Sequence, residues 1–307
     1  MCPTRRIRLT ATPLDRLNGA MRIRRLFTVI AVLLASLLAL PAQAMESVYF
    51  FTSDGVRLHL ITAGPAGAPV MVFVPGWTMP AWIFQAQIQE FSRRYRVVAL
   101  DPRGQGDSEI AASGYDHTRR GQDIGDLIAL QGPRPVLLVA WSLGVLDSLA
   151  YVQQYGDRRL AGLVLVDNSI GEDPPPVPSR LPSVRGPRIA REIQMRNFVR
   201  GMFRSSPGEN YLARLTETAL RTPPDASAQL LNYGVPRSYW RDAVLSFQKP
   251  VLYVVRPRFA AQAGNLELHQ PLAETAVFES AGHALFVDEP GRFNALVQDF
   301  IRRRVWP

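Results

Sequence analysis

Ser142 is the residue whose surroundings in the sequence most favour nucleophilic chemistry. It lies within residues 139–144, VAWSLG, where an apolar run ends and a helical pattern begins. A serine on a sharp turn from a strand into a helix needs small neighbours, and Ala140 and Gly144 meet that need. The backbone N–H of Leu143 then lies at the start of the helix, where a developing negative charge is stabilised. The pattern predicts a strained nucleophile on a turn of the nucleophile-elbow type, rather than a serine that only caps a helix.

His283 is the candidate general base for Ser142. It follows the last strand-like run, Thr275–Phe278, in a loop that begins with Gly282 and precedes a final helical pattern. Histidine is the side chain that most often accepts a proton near neutral pH. Its position late in the chain, after the last strand, fits a serine–acid–histidine order.

The elements that must position these two residues alternate along the chain. Asp54-Gly55 lies between two alternating segments and predicts a hairpin turn. Six short apolar runs follow, separated by helical stretches near 82–93, 119–130, 143–155 and 290–303. The runs are Val70–Val74, Arg96–Leu100, Val136–Val139, Leu160–Val166, Val251–Val255 and Thr275–Phe278. Apolar strands that alternate with helices predict an α/β fold whose parallel sheet is covered on both faces.

Residues 171–240 interrupt the alternation. They start with a proline-rich segment and continue in helix-like patches without a strand pattern. The stretch is too long for an ordinary connection between a helix and a strand. It predicts a helical cap inserted over the carboxyl edge of the sheet, between core segments 45–170 and 241–307, where open α/β sheets bind ligands.

Residues 1–44 have the pattern of a secretory signal. Arg22, Arg24 and Arg25 precede the apolar run Leu26–Leu40, and small residues lead to a predicted cut after Ala44. Fifteen apolar residues are fewer than the roughly 20 that span a bilayer, which favours cleavage over a retained anchor. General and twin-arginine export both stay open, as does a start at Met1 or Met21. A periplasmic or secreted protein without stable membrane insertion is expected.

Charge and cysteine content exclude several classes of function. Residues 1–44 carry seven Arg and one Asp, so they supply +6 of the net charge of +9, and the other residues carry only +3. Such a balanced body has no basic footprint for nucleic acid. The single cysteine, Cys2, lies in the segment expected to be removed, and the four histidines show no short metal spacing. No metal and no cofactor is expected.

The chain resembles the α/β-hydrolase superfamily at four segments in the family's order. Residues 74–77 (VPGW) resemble its loop after the third strand, 101–108 (DPRGQGDS) resemble its glycine-rich loop after the fourth, 139–144 resemble the nucleophile elbow, and 282–293 resemble its histidine segment. Within the family the likeness is to serine esterases, cofactor-free haloperoxidases and enol-lactonases. The resemblance implies an eight-stranded, mostly parallel sheet. It also implies an oxyanion hole made by the N–H groups of Trp77 and Leu143.

The position of the carboxylate that would partner His283 departs from the family's pattern. The resemblance implies an aspartate after the seventh strand, but that strand is followed by Arg256-Pro257-Arg258. Some relatives carry the acid at the end of the sixth strand, where this chain has Asp167. Asp167 is therefore the predicted partner of His283, and Glu267 and the pair Glu172/Asp173 stay open as alternatives.

The expected function is cleavage of a carboxylic ester or lactone through an acyl-enzyme on Ser142. Trp141, Trp82 and Phe286 are predicted to line a pocket for a small apolar or aromatic substrate. Alternatives are a hydrolase of another acyl bond, an amide or a C–C bond, and a non-catalytic homologue that binds a ligand. The sequence does not determine the natural substrate, any perhydrolase activity or the oligomeric state.

Overall fold

An eight-stranded sheet forms the centre of the chain, of which the computed structural model describes residues 45–175 and 190–307. Its strands are β1 (Glu46–Phe51), β2 (Arg57–Ala63), β3 (Val70–Val74), β4 (Arg96–Asp101), β5 (Val136–Trp141), β6 (Leu160–Val166), β7 (Val251–Val255) and β8 (Ala273–Val277). They lie in the order β1-β2-β4-β3-β5-β6-β7-β8. β2 pairs antiparallel with β1 and β4, and the other pairs are parallel. The predicted sheet is confirmed.

Central strand β5 shows why the sequence runs are continuously apolar. All six of its residues are buried, and they alternate between the two faces of the sheet. Leu138 and Ala140 belong to one core cluster, and Val139 and Trp141 to the cluster on the opposite face. A strand covered on both faces has no polar position, so its sequence loses the alternation of a half-exposed strand.

Helices cover both faces of the sheet. Their bounds are α1 (Gln85–Phe91), α2 (His117–Ala129), α3 (Leu143–Tyr155), α4 (Arg191–Gly201), α5 (Glu209–Leu220), α6 (Pro224–Gln229), α7 (Arg237–Leu245), α8 (Ala260–His269), α9 (Leu285–Asp288) and α10 (Pro290–Phe300). Buried side chains of α2, α3, α7 and α8 pack on one face, and those of α1 and α10 pack on the other. None of the helices in the described ranges is both long and apolar enough to cross a membrane.

Four helices, α4 to α7, occupy the chain between β6 and β7, and residues 190–245 contain no strand. The last of them ends at Leu245, five residues beyond the end predicted for the cap. Residues 176–189 of the predicted cap and the predicted signal, residues 1–44, lie outside the described residues.

The loop after β4 is held by Arg103, whose side chain is 1% exposed. Its guanidinium lies 2.8 Å from Asp54 in the β1–β2 turn and 2.9 Å from Asp123 on α2. Burial raises the pKa of Asp123, and the Arg103 charge opposes that rise only in part. Arg103 thus joins the loop after β4 to the β1–β2 turn and to α2.

Replacing Arg103 by Met should lower the free energy of unfolding by about 1.5–3 kcal/mol, because the buried Asp123 would lose two charged hydrogen bonds and keep only Arg119 as a cation partner. The matched control is Arg93→Met, which breaks a pair with Glu90 whose Arg93 side chain is 71% exposed. That change should cost no more than about 1 kcal/mol. Urea unfolding of both variants measures the difference, and equal losses would refute the bracing role of Arg103.

Candidate active site

Ser142 lies on the turn between β5 and α3, in a backbone conformation that side chains rarely adopt, with φ +55° and ψ −122°. The turn is tight because a Cβ at Gly144 would lie 2.5 Å from the carbonyl oxygen of Val74, and one at Gly76 would lie 2.8 Å from Cβ of Ser142. Glycine is required at both positions. Such a conformation costs on the order of 1–3 kcal/mol and persists only where the surroundings fix it.

Hydrogen bonds from the end of β6 fix this turn. The Ser142 N–H donates to the carbonyl of Val166 at 2.9 Å, and the Asn168 side-chain amide donates to the carbonyl of Ser142 at 2.8 Å. Tyr253 of β7 donates its hydroxyl to the Asn168 carbonyl at 2.7 Å. Neighbouring strands therefore hold the strained serine in place.

Ser142, His283 and Asp167 form a continuous hydrogen-bonded chain. Ser142 Oγ lies 2.8 Å from His283 Nε2, and His283 Nδ1 lies 2.6 Å from Asp167 Oδ2. A carboxylate can only accept, so Nδ1 carries the hydrogen and Nε2 is left to accept the Ser142 O–H. His283 is 21% exposed, and the Asp167 side chain is fully buried. Ser142 and His283 are thus partly exposed, and Asp167 is shielded from solvent.

Asp167 stays ionised in this setting. Burial alone would raise its pKa, but the hydrogen bond and charge of His283 and the charge of Arg256 outweigh burial, and the pKa of Asp167 is lowered. Its φ is +49°, a backbone conformation that non-glycine residues rarely adopt. An ionised carboxylate here can hold the imidazole orientation and stabilise an imidazolium.

The alternative acids do not contact His283. Glu267 on α8 accepts from the N–H and hydroxyl of Thr275 at 3.0 and 2.8 Å. Glu172 accepts from Asn265 at 2.5 Å, and Asp173 lies 3.6 Å from Arg237. The structure brings Asp167 to the imidazole and keeps these carboxylates elsewhere.

Two backbone N–H groups flank Ser142 as the sequence expected. Leu143 begins α3 directly after the serine, and Trp77 follows Gly76 in the loop that touches the serine Cβ. Neither N–H donates to a backbone or side-chain acceptor within the described ranges. The next residue, Thr78, has φ +60°, and its N–H donates to the buried Gln105 side chain. Both N–H groups are therefore available to donate hydrogen bonds to an oxyanion, and the bond from Thr78 to Gln105 holds the loop that carries Trp77.

The backbone strain is concentrated at this site. Across residues 45–175 and 190–307, the non-glycine residues with positive φ are Thr78, Ser142 and Asp167. One adjoins the Trp77 donor, one is the nucleophile, and one is the acid. Strained backbone of this kind clusters where geometry serves function.

The His283 loop is joined to the end of α4. The Asp288 carboxylate accepts from the N–H groups of Gly282 at 2.7 Å, Arg204 at 2.8 Å and Ser205 at 3.2 Å. A Cβ at Gly282 would lie 2.5 Å from the Met202 carbonyl oxygen. The glycine before the histidine is therefore explained by the close approach of the backbone at the end of α4.

The three aromatic residues predicted to line the pocket lie elsewhere. Trp141 and Phe286 are 1% and 0% exposed, their rings meet at 5.2 Å, and Trp141 Nε1 donates to the His283 carbonyl at 2.9 Å. The Trp141 ring packs against the His283 ring at 5.1 Å, and Phe286 packs against Trp141. Both side chains therefore lie in the core and not at an open surface. Trp82 lies under the Arg214 guanidinium and lines cavities of about 340 and 240 Å³ whose lining residues include neither Ser142 nor His283. All three rings belong to or pack against the core cluster on one face of the sheet, and sequence position near the motifs did not reveal that Trp141 and Phe286 would be fully buried in it.

Arg256 is the site residue that sequence reasoning missed. Its Nε donates to Asp167 Oδ2 at 2.6 Å, and its backbone N–H donates to Oδ1 at 3.0 Å. The available signal was an arginine standing directly after β7, where a carboxylate was sought.

A second serine–histidine–aspartate chain lies at the sheet edge. Ser47 Oγ is 2.7 Å from His59 Nε2, and His59 Nδ1 is 2.7 Å from Asp101 Oδ2. Asp101 also accepts from the N–H groups of Ala81 at 2.5 Å and Asp107 at 2.8 Å. His59, Asp101 and Asp107 lie within 4.8 Å of one another, a spacing that could hold a metal ion, but the first two are bonded to each other. Ser47 lies within the extended edge strand β1, not on a turn from a strand into a helix as Ser142 does.

The fold and the serine–histidine–aspartate chain at the carboxyl edge of the parallel strands define a hydrolase of the α/β class. Residues 71–296 match the model of the alpha/beta hydrolase family, which is more than half of the chain. The protein belongs to the α/β-hydrolase family.

Individual relatives differ in activity. A non-heme chloroperoxidase of Kitasatospora aureofaciens is 36% identical over 116 residues, which cover 38% of this chain and 42% of that protein. A bifunctional esterase/perhydrolase of Acinetobacter calcoaceticus is 32% identical over 119 residues, 38% of this chain and 43% of that protein. The chain thus matches about two fifths of each relative's length. The structure of an esterase from Rhodococcus sp. ECU1013, at 24% identity, matches with a TM-score of 0.72 over 85% of this chain and 100% of that one, which supports the fold.

Exchanging Asp167 for Asn should slow phosphonylation of Ser142 by a fluorophosphonate by up to on the order of 10⁴-fold, because the amide cannot hold the reactive tautomer of His283. Glu267→Gln, the matched control, should react at the rate of the unmodified protein. Adduct formation is followed by intact mass at neutral pH. A slow Glu267→Gln variant and a fast Asp167→Asn variant would move the acid to α8.

Proposed function

We propose that the protein is an exported serine hydrolase that cleaves a carboxylic ester or lactone of a small apolar or aromatic substrate. The observation that carries the proposal is the chain from Ser142 through His283 to Asp167, with the free N–H groups of Trp77 and Leu143 beside it. Nucleophile, base, acid and oxyanion donors are the complete set that acyl transfer requires.

In the first half of the reaction, Ser142 Oγ attacks the acyl carbon while its proton moves to His283 Nε2. The negative charge that develops on the carbonyl oxygen accepts hydrogen bonds from Trp77 and Leu143. Losing one such donor typically costs 10²- to 10³-fold in rate. His283 then donates the proton to the leaving alcohol, and the acyl group stays on Ser142.

In the second half, water gives a proton to His283 Nε2 and attacks the acyl carbon. The carboxylic acid leaves when Ser142 regains its proton from the imidazolium. Asp167 stays charged throughout, as its lowered pKa indicates. Serine at position 142 favours this route over relatives that need an aspartate nucleophile there.

An apolar groove beside Trp77 supports an apolar or aromatic substrate. It has a volume of about 420 Å³ and lies between the Trp77 loop and helices α4 and α6. Its lining residues include Trp77 but neither Ser142 nor His283, so it would hold the part of the substrate remote from the reacting carbonyl. The ring of Phe198 meets the ring of Trp77 edge-on at 5.0 Å, and Met195, Pro224 and Leu231 continue the wall. Aromatic and apolar groups would bind such walls, and Arg191 adds one charged side chain to the lining.

Two alternatives differ in what supports them. The non-catalytic alternative relied on the missing carboxylate after β7, and Asp167 now gives His283 a carboxylate partner. Cleavage of an amide or a C–C bond would use the same residues, so only substrates can separate it from ester cleavage. Export rests on the sequence pattern of residues 1–44.

Treatment with a fluorophosphonate should add one adduct to the protein, and Ser142→Ala should add none. The control is Ser47→Ala, which removes the other serine bonded to a histidine–aspartate pair. It should label fully, because Ser47 lies within an extended strand and lacks the strand-to-helix turn that exposes Ser142 beside backbone N–H donors. Intact mass with circular dichroism of each variant is the measurement. A folded protein that takes no adduct would overturn the proposal, and so would an adduct that survives in Ser142→Ala.

Truncating Phe198 to Ala should raise KM for phenyl acetate by about 2- to 10-fold and leave KM for ethyl acetate unchanged, because a ring pair contributes about 0.5–1.5 kcal/mol. Phe51→Ala is the control, since Phe51 is 70% exposed on edge strand β1. Steady-state kinetics with both esters test the groove. An equal change for both esters would show that Phe198 acts on folding and not on selectivity.

A further inference from the structure

Arg256 lies against the acid of the site. Its Nε is 2.6 Å from Asp167 Oδ2, the same oxygen that accepts from His283 Nδ1 at 2.6 Å. Its backbone N–H takes the other oxygen, Oδ1, at 3.0 Å, and its Nη2 lies 3.4 Å from His283 Nδ1. Arg256 thus contacts both the acid and the imidazole.

This contact changes the charge balance of the site. In a simple aspartate–histidine pair, an imidazolium gains a full negative partner. Here the guanidinium, which is always charged, has already neutralised Asp167. A proton on His283 would place two positive charges around one buried carboxylate. The Arg256 side chain is 27% exposed, so water screens the repulsion only in part.

Within residues 45–175 and 190–307, no other charged side chain forms a hydrogen bond or ion pair with the His283 ring. From β5 the ring meets Trp141 at 5.1 Å, and from the start of α3 it meets the neutral Ser142. From α9 the Asp288 carboxylate binds backbone N–H groups, including those of Gly282 and Arg204, and the Arg204 side chain is exposed. Asp167 and Arg256 are therefore the charged side chains that contact the His283 ring in the described ranges.

We infer that Arg256 is a positioning residue that fixes Asp167 for His283 and, through its charge, keeps the imidazole neutral to lower pH than an aspartate alone would. The inference rests on the proposed function, since it concerns the base that activates Ser142. The acid limb of the pH profile is the range in which the rate constant of Ser142 phosphonylation falls as the pH is lowered. This limb should lie at lower pH with Arg256 than without it. The same charge disfavours the imidazolium of the transition state, so a wider pH range comes with a lower maximal rate.

The test measures the rate constant of Ser142 phosphonylation by a fluorophosphonate from pH 4 to 9 at constant ionic strength. Arg256→Met should move the acid limb upward by about one pH unit, because the repelling charge is lost. Arg256→Lys keeps the charge and loses the Nε geometry. It should leave the limb in place and lower the plateau rate. A purely structural arginine would lower the plateau in both variants and move the limb in neither.

Arg258→Met is the matched control, since it removes an equal charge two residues along the same loop, where the guanidinium lies 5.5 Å from the Phe259 ring. It should leave the limb unmoved. If Arg256→Met does not fold, Arg256→Gln tests the same loss of charge with a polar side chain. An unmoved limb in the neutral variant overturns the inference while labelling of Ser142 persists. A wild-type protein that takes no adduct overturns the proposed function, and this inference with it.

Discussion

The hydrogen bond from His283 to Asp167 is the contact on which the rest of the site depends. It joins the loop after β8 to the end of β6, two segments 116 residues apart in sequence. Once Nδ1 is committed to the carboxylate, Nε2 can only accept, and the hydroxyl of Ser142 is the donor in reach. A parallel sheet makes this possible because all of its strands end at one edge.

Close backbone packing holds the other half of the site. Gly76 lies against Ser142, and Gly144 lies against the carbonyls of β3, so neither can carry a side chain. The strained turn at Ser142 is maintained by bonds to β6 and to Asn168. Packing of the buried sheet offsets the free-energy cost of this strained conformation. The strands around the turn are covered on both faces and leave it no room to relax.

The charges at the site are held in place as closely as its backbone is packed. Asp167 is buried, which alone would favour its neutral form, yet the histidine and Arg256 keep it ionised. Arg256 stands at the end of β7 and reaches back to β6. The acid and the cation that restrains it thus come from neighbouring strands, and the site combines a proton acceptor with a permanent positive charge.

The sequence by itself determined the strands, the turn at Ser142, the position of His283 and the class of fold. Strands buried on both faces have continuously apolar sequences, and a crowded turn requires small residues, so both features can be predicted from sequence. The tertiary structure alone decided among Asp167, Glu267 and Glu172, because the partner of an imidazole depends on where other strands end. It also placed Trp141 and Phe286 beneath the site and Arg256 beside the acid. Local patterns record how deeply a residue is buried, and only the packed chain decides which distant side chain it meets.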